Sequence, residues 1–146
     1  MEENDNVPST GSEMAKILKE KLTPLFESRA IRLAFLGGSW ATDSQNWWSD
    51  IDLFLSFPKF LQLNPREKLT VLTELHLQSS ALTGFDEIEI KILESLPLHV
   101  QFNAISKGIL LYEDEEGRKA EFVEKLLPRY YDHMIWYKRM IEQSIN

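Results

Sequence analysis

Gly38-Ser39, ten intervening residues and then Asp50-Ile51-Asp52 form the stretch of this chain that decides the fold prediction. Residues 30–36 before it are a short apolar run, which predicts a buried strand, and Gly37-Gly38 predicts a tight turn at its end. Residues 50–57 alternate between apolar and other side chains, as a strand with one buried face does. Because every second side chain of a strand lies on the same face, the two aspartates are expected together, opposite the aliphatic side chains.

Residues 87–93 repeat this alternation and predict a second strand of the same kind. Three isoleucines face one way, and Glu87, Glu89 and Lys91 face the other. Two acids on one strand and a third on its neighbour suit a pair of divalent ions about 3.5–4 Å apart, since hard oxygen ligands suit magnesium. The residues alone leave the choice between Glu87 and Glu89 open.

Ser39 and the backbone amides around Gly38 can bind an anion if a short helix opens there. In such a site they would hold the β and γ phosphates of a nucleotide, while metal ions on the acids orient the α phosphorus. A carboxylate beside a metal can accept the proton of an attacking hydroxyl. The structural alternative is that the glycine-serine stretch is only a turn and Asp50-Ile51-Asp52 only a solvated strand face, because short motifs carry a risk of false matches.

Helical periodicity accounts for much of the remaining chain. Helices are predicted from about residue 12, from about residue 65 to 80, from Pro97 to Lys107, and from Glu115 to the end. A proline inside the first helix is expected to kink or end it, and Pro128 to bend or split the last. The predicted domains are a flexible N-terminal tail, residues 1–11, and one domain, residues 12–146.

Length, composition and charge exclude several classes of protein. The chain has 146 residues, 43% of them hydrophobic and 27% charged, as expected of one globular domain. The net charge of −7 argues against sequence-independent nucleic-acid binding, which needs clustered Lys and Arg. The absence of cysteine excludes disulfides, thiolate zinc sites and a cysteine nucleophile. The acidic N-terminus and the lack of an apolar run of roughly 18 residues favour a cytoplasmic protein without membrane insertion.

Gly38-Ser39 and Asp50-Ile51-Asp52 resemble the GSx10DxD signature of the polymerase-β-like nucleotidyltransferase superfamily. Ser39-Trp40-Ala41 and the 97–112 stretch, which ends Lys107-Gly108-Ile109-Leu110-Leu111-Tyr112, make the chain similar to the minimal nucleotidyltransferase (MNT) group. The resemblance implies an α/β fold: a small mixed β-sheet with helices mainly on one face and the carboxylates on the other.

The resemblance also implies roles for individual residues. Gly38 and Ser39 would contact phosphate, Asp50 and Asp52 would bind metal, and Glu89 would complete the catalytic and metal-binding triad, with Glu87 as the fallback. Two departures bear on these roles. Glu89 is one methylene longer than the usual aspartate, and Thr42-Asp43 stand where many relatives have a basic residue and a glycine.

The function that the resemblance implies is magnesium-dependent nucleotidyl transfer with two Mg²⁺ ions and ATP as the donor. The acceptor would be a tyrosine hydroxyl of a HEPN toxin, which would make this chain an antitoxin. Two alternatives stay open: a nucleotidyltransferase acting on a small molecule such as an aminoglycoside, and a catalytically silent antitoxin that acts by binding alone. The nucleotide preference and the oligomeric state also stay open.

Overall fold

A computed structural model describes residues 8–46 and 48–145 of the chain. The first seven residues of the predicted tail, and Trp47, therefore lie outside the described residues. The described part contains four strands and five α-helices. The strands are β1 (Leu33–Gly37), β2 (Ile51–Ser56), β3 (Ile88–Ile92) and β4 (Ile109–Glu113); the helices are α1 (Gly11–Ser28), α2 (Gly38–Ala41), α3 (Pro65–Thr83), α4 (Leu98–Lys107) and α5 (Arg118–Ile145).

The four strands form one mixed sheet in the order β3-β2-β1-β4. β1 is antiparallel to both β2 and β4, whereas β2 and β3 are parallel. A parallel pair needs a crossover connection, and α3 lies within the one that joins β2 to β3. The predicted α/β fold with a small mixed sheet is confirmed.

The aliphatic face of the sheet packs against α1 and α3. Ile51, Leu53 and Leu55 of β2 are 0–4% exposed and share one apolar cluster with side chains of both helices. α3 begins with a capping box in which Asn64 accepts from the Glu67 amide at 2.8 Å and Glu67 accepts from the Asn64 amide at 3.0 Å. The start of α3 thus matches the sequence prediction.

The carboxylate face of the sheet is partly covered as well. Phe35 and Phe54 lie on it and pack with Leu126 of α5 in a second apolar cluster to which α4 also contributes. The physical reason lies in the alternation itself, because Phe54 shares its face with Asp52. The acids therefore lie at one end of this face of the sheet, and the other end of the same face is buried in the second apolar cluster.

Two helices contain prolines without ending at them. α1 continues past Pro24 to Ser28, and α5 runs unbroken through Pro128. Of the two predicted effects of Pro128, a bend or a split of α5, the split is therefore wrong. Contacts on both sides of Pro128 hold the helix together: Leu126 is 2% exposed, and the ring of Tyr130 stacks on Phe102 at 4.3 Å. In the described ranges, no helix has the length and apolar content needed to cross a membrane.

Candidate active site

The turn between β1 and α2 lies directly against Asp52. Gly37 is the register partner of Asp52 in the antiparallel β1–β2 pair. Gly38 has a φ of +64°, and a Cβ built on it would overlap Oδ2 of Asp52. Glycine is therefore required at position 38 for two reasons, the left-handed backbone conformation and the close approach of the carboxylate. The ten residues between Ser39 and Asp50 therefore connect the turn to a strand that brings Asp52 back into contact with it.

Asp52 and Glu89 are neighbours across the parallel β2–β3 pair. The register pairs Asp52 with Glu89, so both side chains lie on the same face of the sheet. The Asp52 side chain is 18% exposed, whereas Glu89 and Asp50, the residue two before Asp52, are exposed. Neither Asp50 nor Glu89 makes a side-chain hydrogen bond or ion pair to any residue that the structure describes.

Glu87, the fallback for the third acid, lies just before β3. Its side chain is exposed, and its backbone carbonyl accepts a hydrogen bond from the Ile51 amide at 2.7 Å. Glu89, in contrast, lies within β3 and in register with Asp52. The geometry thus favours Glu89 over Glu87 as the neighbour of Asp52, and the metal-binding role of Glu89 remains a prediction.

Lys91 is a neighbour of Asp52 that the sequence analysis did not identify as its partner. Its Nζ lies 3.6 Å from Oδ1 of Asp52 and 5.3 Å from the ring centroid of Phe54. The alternation of residues 87–93 already placed Lys91 on the acid-bearing face. That it reaches Asp52 depends on the register between β2 and β3, which the alternation does not specify.

The donor chemistry of this site fits a hard divalent ion. Asp50, Asp52 and Glu89 offer only carboxylate oxygens, the ligand type that Mg²⁺ prefers. Oδ2 of Asp52 lies close to Gly38, so the Asp52 carboxylate is beside the turn. However, residues 8–46 and 48–145 contain no group of three Asp, Glu or His side chains arranged as a metal-ligand set. The three acids are therefore the right chemical type of ligand for magnesium, but their side chains are not arranged around one metal position.

A cleft of about 230 Å³ opens beside the glycine turn, between it and α4. Gly37 and Gly38 line one side of it, and Asn103 and Lys107 of α4 line the other. One ammonium, one amide and the backbone of a glycine turn are groups that can bind an anion. The sequence did not identify Asn103 and Lys107 as site residues, because no local pattern indicates that α4 packs beside the turn.

Ser39 follows Gly38 in the short helix α2 and is half-buried. Its backbone carbonyl accepts a hydrogen bond from the Ser44 amide at 2.9 Å. Its hydroxyl makes no hydrogen bond within the described part of the chain, so it can bind a ligand without breaking an existing contact.

Asp43 has a structural contact that explains one departure from the family pattern. Its Oδ1 accepts a hydrogen bond from the amide of Gly11, the first residue of α1, at 2.6 Å. Its φ of +55° is the left-handed conformation that glycine adopts easily, and aspartate is one of the residues that tolerates it. The loop after α2 is thus connected to the start of α1.

Comparisons with known proteins agree with this architecture. Residues 20–117 match the family model described as polymerase beta, nucleotidyltransferase. A chain of a toxin–antitoxin crystal structure with AMP-PNP has a TM-score of 0.67 and 18% identity, over 88% of this chain and 98% of that chain. A chain of the tri-AMPylated Shewanella oneidensis HEPN toxin in complex with MNT antitoxin has a TM-score of 0.65 and 15% identity, over 90% and 99%. A chain of the MntA-HepT toxin–antitoxin structure has a TM-score of 0.64 and 16% identity, also over 90% and 99%. No curated protein matches the chain.

Proposed function

The chain belongs to the polymerase β nucleotidyltransferase family, and from this membership we propose that it transfers AMP from ATP, with magnesium, to a hydroxyl of a partner protein. The observation that best supports the proposal is the contact between the Gly38 turn and Asp52, with Glu89 in register beside it. A turn that can bind phosphate and a carboxylate face then lie side by side, as transfer of a nucleotidyl group from pyrophosphate to an acceptor oxygen requires.

In the proposed site, the β and γ phosphates of ATP bind at Ser39 and the amides around Gly38, with Lys107 across the cleft. Asp50, Asp52 and Glu89 would hold two magnesium ions. Bound magnesium would neutralise charge on the triphosphate and polarise its phosphoryl oxygens.

The acceptor hydroxyl oxygen attacks the α phosphorus of ATP, and the bond from that phosphorus to the bridging oxygen of pyrophosphate breaks. Glu89, which is exposed and without a partner among the described residues, accepts the hydroxyl proton. The products are an AMP ester of the acceptor and pyrophosphate.

The exposed apolar surface of α5 favours a protein acceptor over a small molecule. From residue 131 onward, α5 exposes large apolar side chains at fractions of 38–57%, many more than a surface helix normally carries. These residues, the apolar surface of α5, are Tyr131, Met134, Ile135, Trp136, Tyr137, Met140 and Ile141.

The identity of the acceptor is proposed by analogy with the structural neighbours. One of them contains a tri-AMPylated HEPN toxin in complex with an MNT antitoxin. By that analogy the acceptor is a HEPN-type protein, and the present chain acts as its antitoxin. The accepting group, a tyrosine hydroxyl, is taken from the family resemblance. Localisation in the cytoplasm is part of the same proposal, because both substrate ATP and such a partner would be found there.

The test is transfer of labelled AMP to a co-purified HEPN-type partner. Wild-type protein is incubated with the partner, magnesium and ATP labelled on the α phosphate, and the partner is analysed for label. Label is expected on the partner with α-labelled ATP and not with γ-labelled ATP, because pyrophosphate leaves. The double variant Asp50→Asn/Asp52→Asn should abolish the transfer, and Glu20→Gln/Glu116→Gln, which removes two charges at exposed positions outside the site, should not.

Two outcomes would support the alternatives. If the Asp50→Asn/Asp52→Asn protein still neutralises the partner and no label is transferred by wild type, the chain is a silent antitoxin. If label appears on an added aminoglycoside and not on the partner, the chain is a small-molecule nucleotidyltransferase.

A further inference from the structure

Lys91 is the one described cation that pairs with a carboxylate of the candidate site. Its ammonium faces Oδ1 of Asp52 at 3.6 Å, while Oδ2 of the same carboxylate lies against Gly38. Asp50 and Glu89 have no such partner within the described residues. The carboxylate closest to the phosphate-binding turn is therefore already in contact with a positive charge.

The contact between Lys91 and Asp52 is loose enough to be exchanged. At 3.6 Å it is longer than a normal hydrogen bond, and the Lys91 side chain is 32% exposed. The ammonium also lies 5.3 Å from the centroid of the Phe54 ring, so the side chain extends across an aromatic surface. A lysine has a flexible four-carbon stem and can move its charge by several ångströms without any change in the backbone.

We propose that Lys91 is a positioning residue that holds Asp52 in the nucleotide-free site, lowers the affinity of that site for a free divalent ion, and releases Asp52 to the ion when ATP arrives. The ammonium then pairs with the triphosphate, whose negative charge exceeds that of one carboxylate. Asp52 would consequently be available to a divalent ion only when the nucleotide is bound. This inference rests on the proposed function for the identity of the nucleotide.

The charge of Lys91 determines how much the affinity of the nucleotide-free site for a divalent ion should change when Lys91 is replaced. A single positive charge about 5 Å from a divalent ion, at a well-solvated surface, weakens binding of that ion by about tenfold. Replacing Lys91 by methionine removes the charge and keeps a long apolar stem over Phe54. The Lys91→Met protein should therefore bind Mn²⁺ about tenfold more tightly than wild type in the absence of nucleotide, and should bind ATP more weakly.

The experiment is a titration of the nucleotide-free full chain with Mn²⁺, in which free Mn²⁺ is measured by electron paramagnetic resonance. Lys91→Arg keeps the charge and should leave the affinity near that of wild type. Lys68→Met is a matched control, because Lys68 also lies over an aromatic ring, that of Phe60 at 5.5 Å, and forms no ion pair among the described residues. Circular dichroism checks that each variant is folded, and Lys91→Gln provides a second charge-removing variant.

Tighter Mn²⁺ binding by Lys91→Met and Lys91→Gln, and not by the two controls, is the expected result. The inference is overturned if either charge-removing variant, once shown to be folded, binds Mn²⁺ no more tightly than wild type. The titration needs no acceptor and no AMP transfer. Failure of the transfer assay with a shifted Mn²⁺ affinity would therefore reject the proposed acceptor chemistry and leave standing the effect of Lys91 on metal affinity. The same titration repeated with bound ATP tests the exchange step, because the difference between Lys91→Met and wild type should then disappear.

Discussion

Replacing Gly38 by alanine adds one methyl group at the point where the glycine turn meets Asp52. The new Cβ would overlap Oδ2 of Asp52 and lie 3.2 Å from its Cγ. A Cβ atom essentially never lies within 3.0 Å of a non-bonded heavy atom, so the carboxylate or the turn must move. Because the turn is continuous with β1 and Asp52 lies within β2, the carboxylate side chain is the part that can rotate away.

Gly38→Ala should have two separate effects, one on the folding free energy and one on the rate of AMP transfer. The φ of +64° costs an alanine about 1–2 kcal/mol of folding free energy, since its Cβ is crowded in the left-handed conformation. Displacement of the Asp52 carboxylate by about 1 Å is expected to lower the rate of AMP transfer by about a hundredfold. The variant should therefore be modestly less stable and strongly impaired in transfer.

Gly84→Ala separates these two effects. Gly84 follows α3 with a φ of +80°, and no heavy atom lies within 4 Å of a Cβ built there. Gly84→Ala should thus lose similar stability in urea unfolding and keep its transfer rate. The reasoning is refuted if Gly38→Ala transfers AMP at the wild-type rate, or if Gly84→Ala is impaired to the same degree.

Two further predictions concern a salt bridge and the apolar surface of α5. Two hydrogen bonds from the Arg118 guanidinium, at 2.7 and 3.2 Å, hold the pKa of Asp114 below its usual value, so their stabilisation is present above about pH 4 and is lost as pH falls through the lowered pKa. Asp114→Asn should therefore be up to about 1 kcal/mol less stable than wild type at pH 7 in urea unfolding, and the difference should shrink as the pH falls below about 4; a difference that stays constant with pH would contradict this. Met134→Glu and Tyr137→Glu should change the unfolding free energy by less than about 0.5 kcal/mol, because both side chains are over 40% exposed, and should weaken binding of the HEPN-type partner at least tenfold by calorimetry. Gln143→Glu adds the same charge outside that apolar surface and is the control, and equal weakening by all three would contradict the prediction.

Local sequence patterns were sufficient for β1, β2 and β3 and for the glycine turn beside Asp52. The alternation in residues 50–57 and 87–93 predicted the aliphatic core face, on which Ile51 and Ile88 are 4% exposed. The burial of Phe54 on the opposite face, where it is 7% exposed, was not predicted. The glycine turn was expected after the first strand and lies there. These features follow from short-range chemistry: side chains alternate along a strand, and glycine permits the backbone conformation that the turn needs.

Long-range placement was the part that local patterns could not provide. The pairing of Lys91 with Asp52 depends on strand register, and the position of Lys107 depends on where α4 packs. Asp43 looked like a departure from a basic-residue and glycine pattern, and its contact with the Gly11 amide spans 32 residues. Periodicity identifies which face of an element is apolar but not which other element will cover it.

The charge balance of the site explains why metal and nucleotide are expected to bind together. The candidate residues are three carboxylates, Asp50, Asp52 and Glu89, and two lysines, Lys91 beside Asp52 and Lys107 across the cleft from Gly38. α4 also ends at this cleft, and the partial negative charge of a helix C-terminus opposes an anion there. The carboxylates and the helix end would therefore weaken binding of a triphosphate without a cation, and a free divalent ion would have to displace Lys91 from Asp52. A complex of the triphosphate with a divalent ion would avoid both costs, because the carboxylates would hold the ion and the lysines would pair with the phosphates.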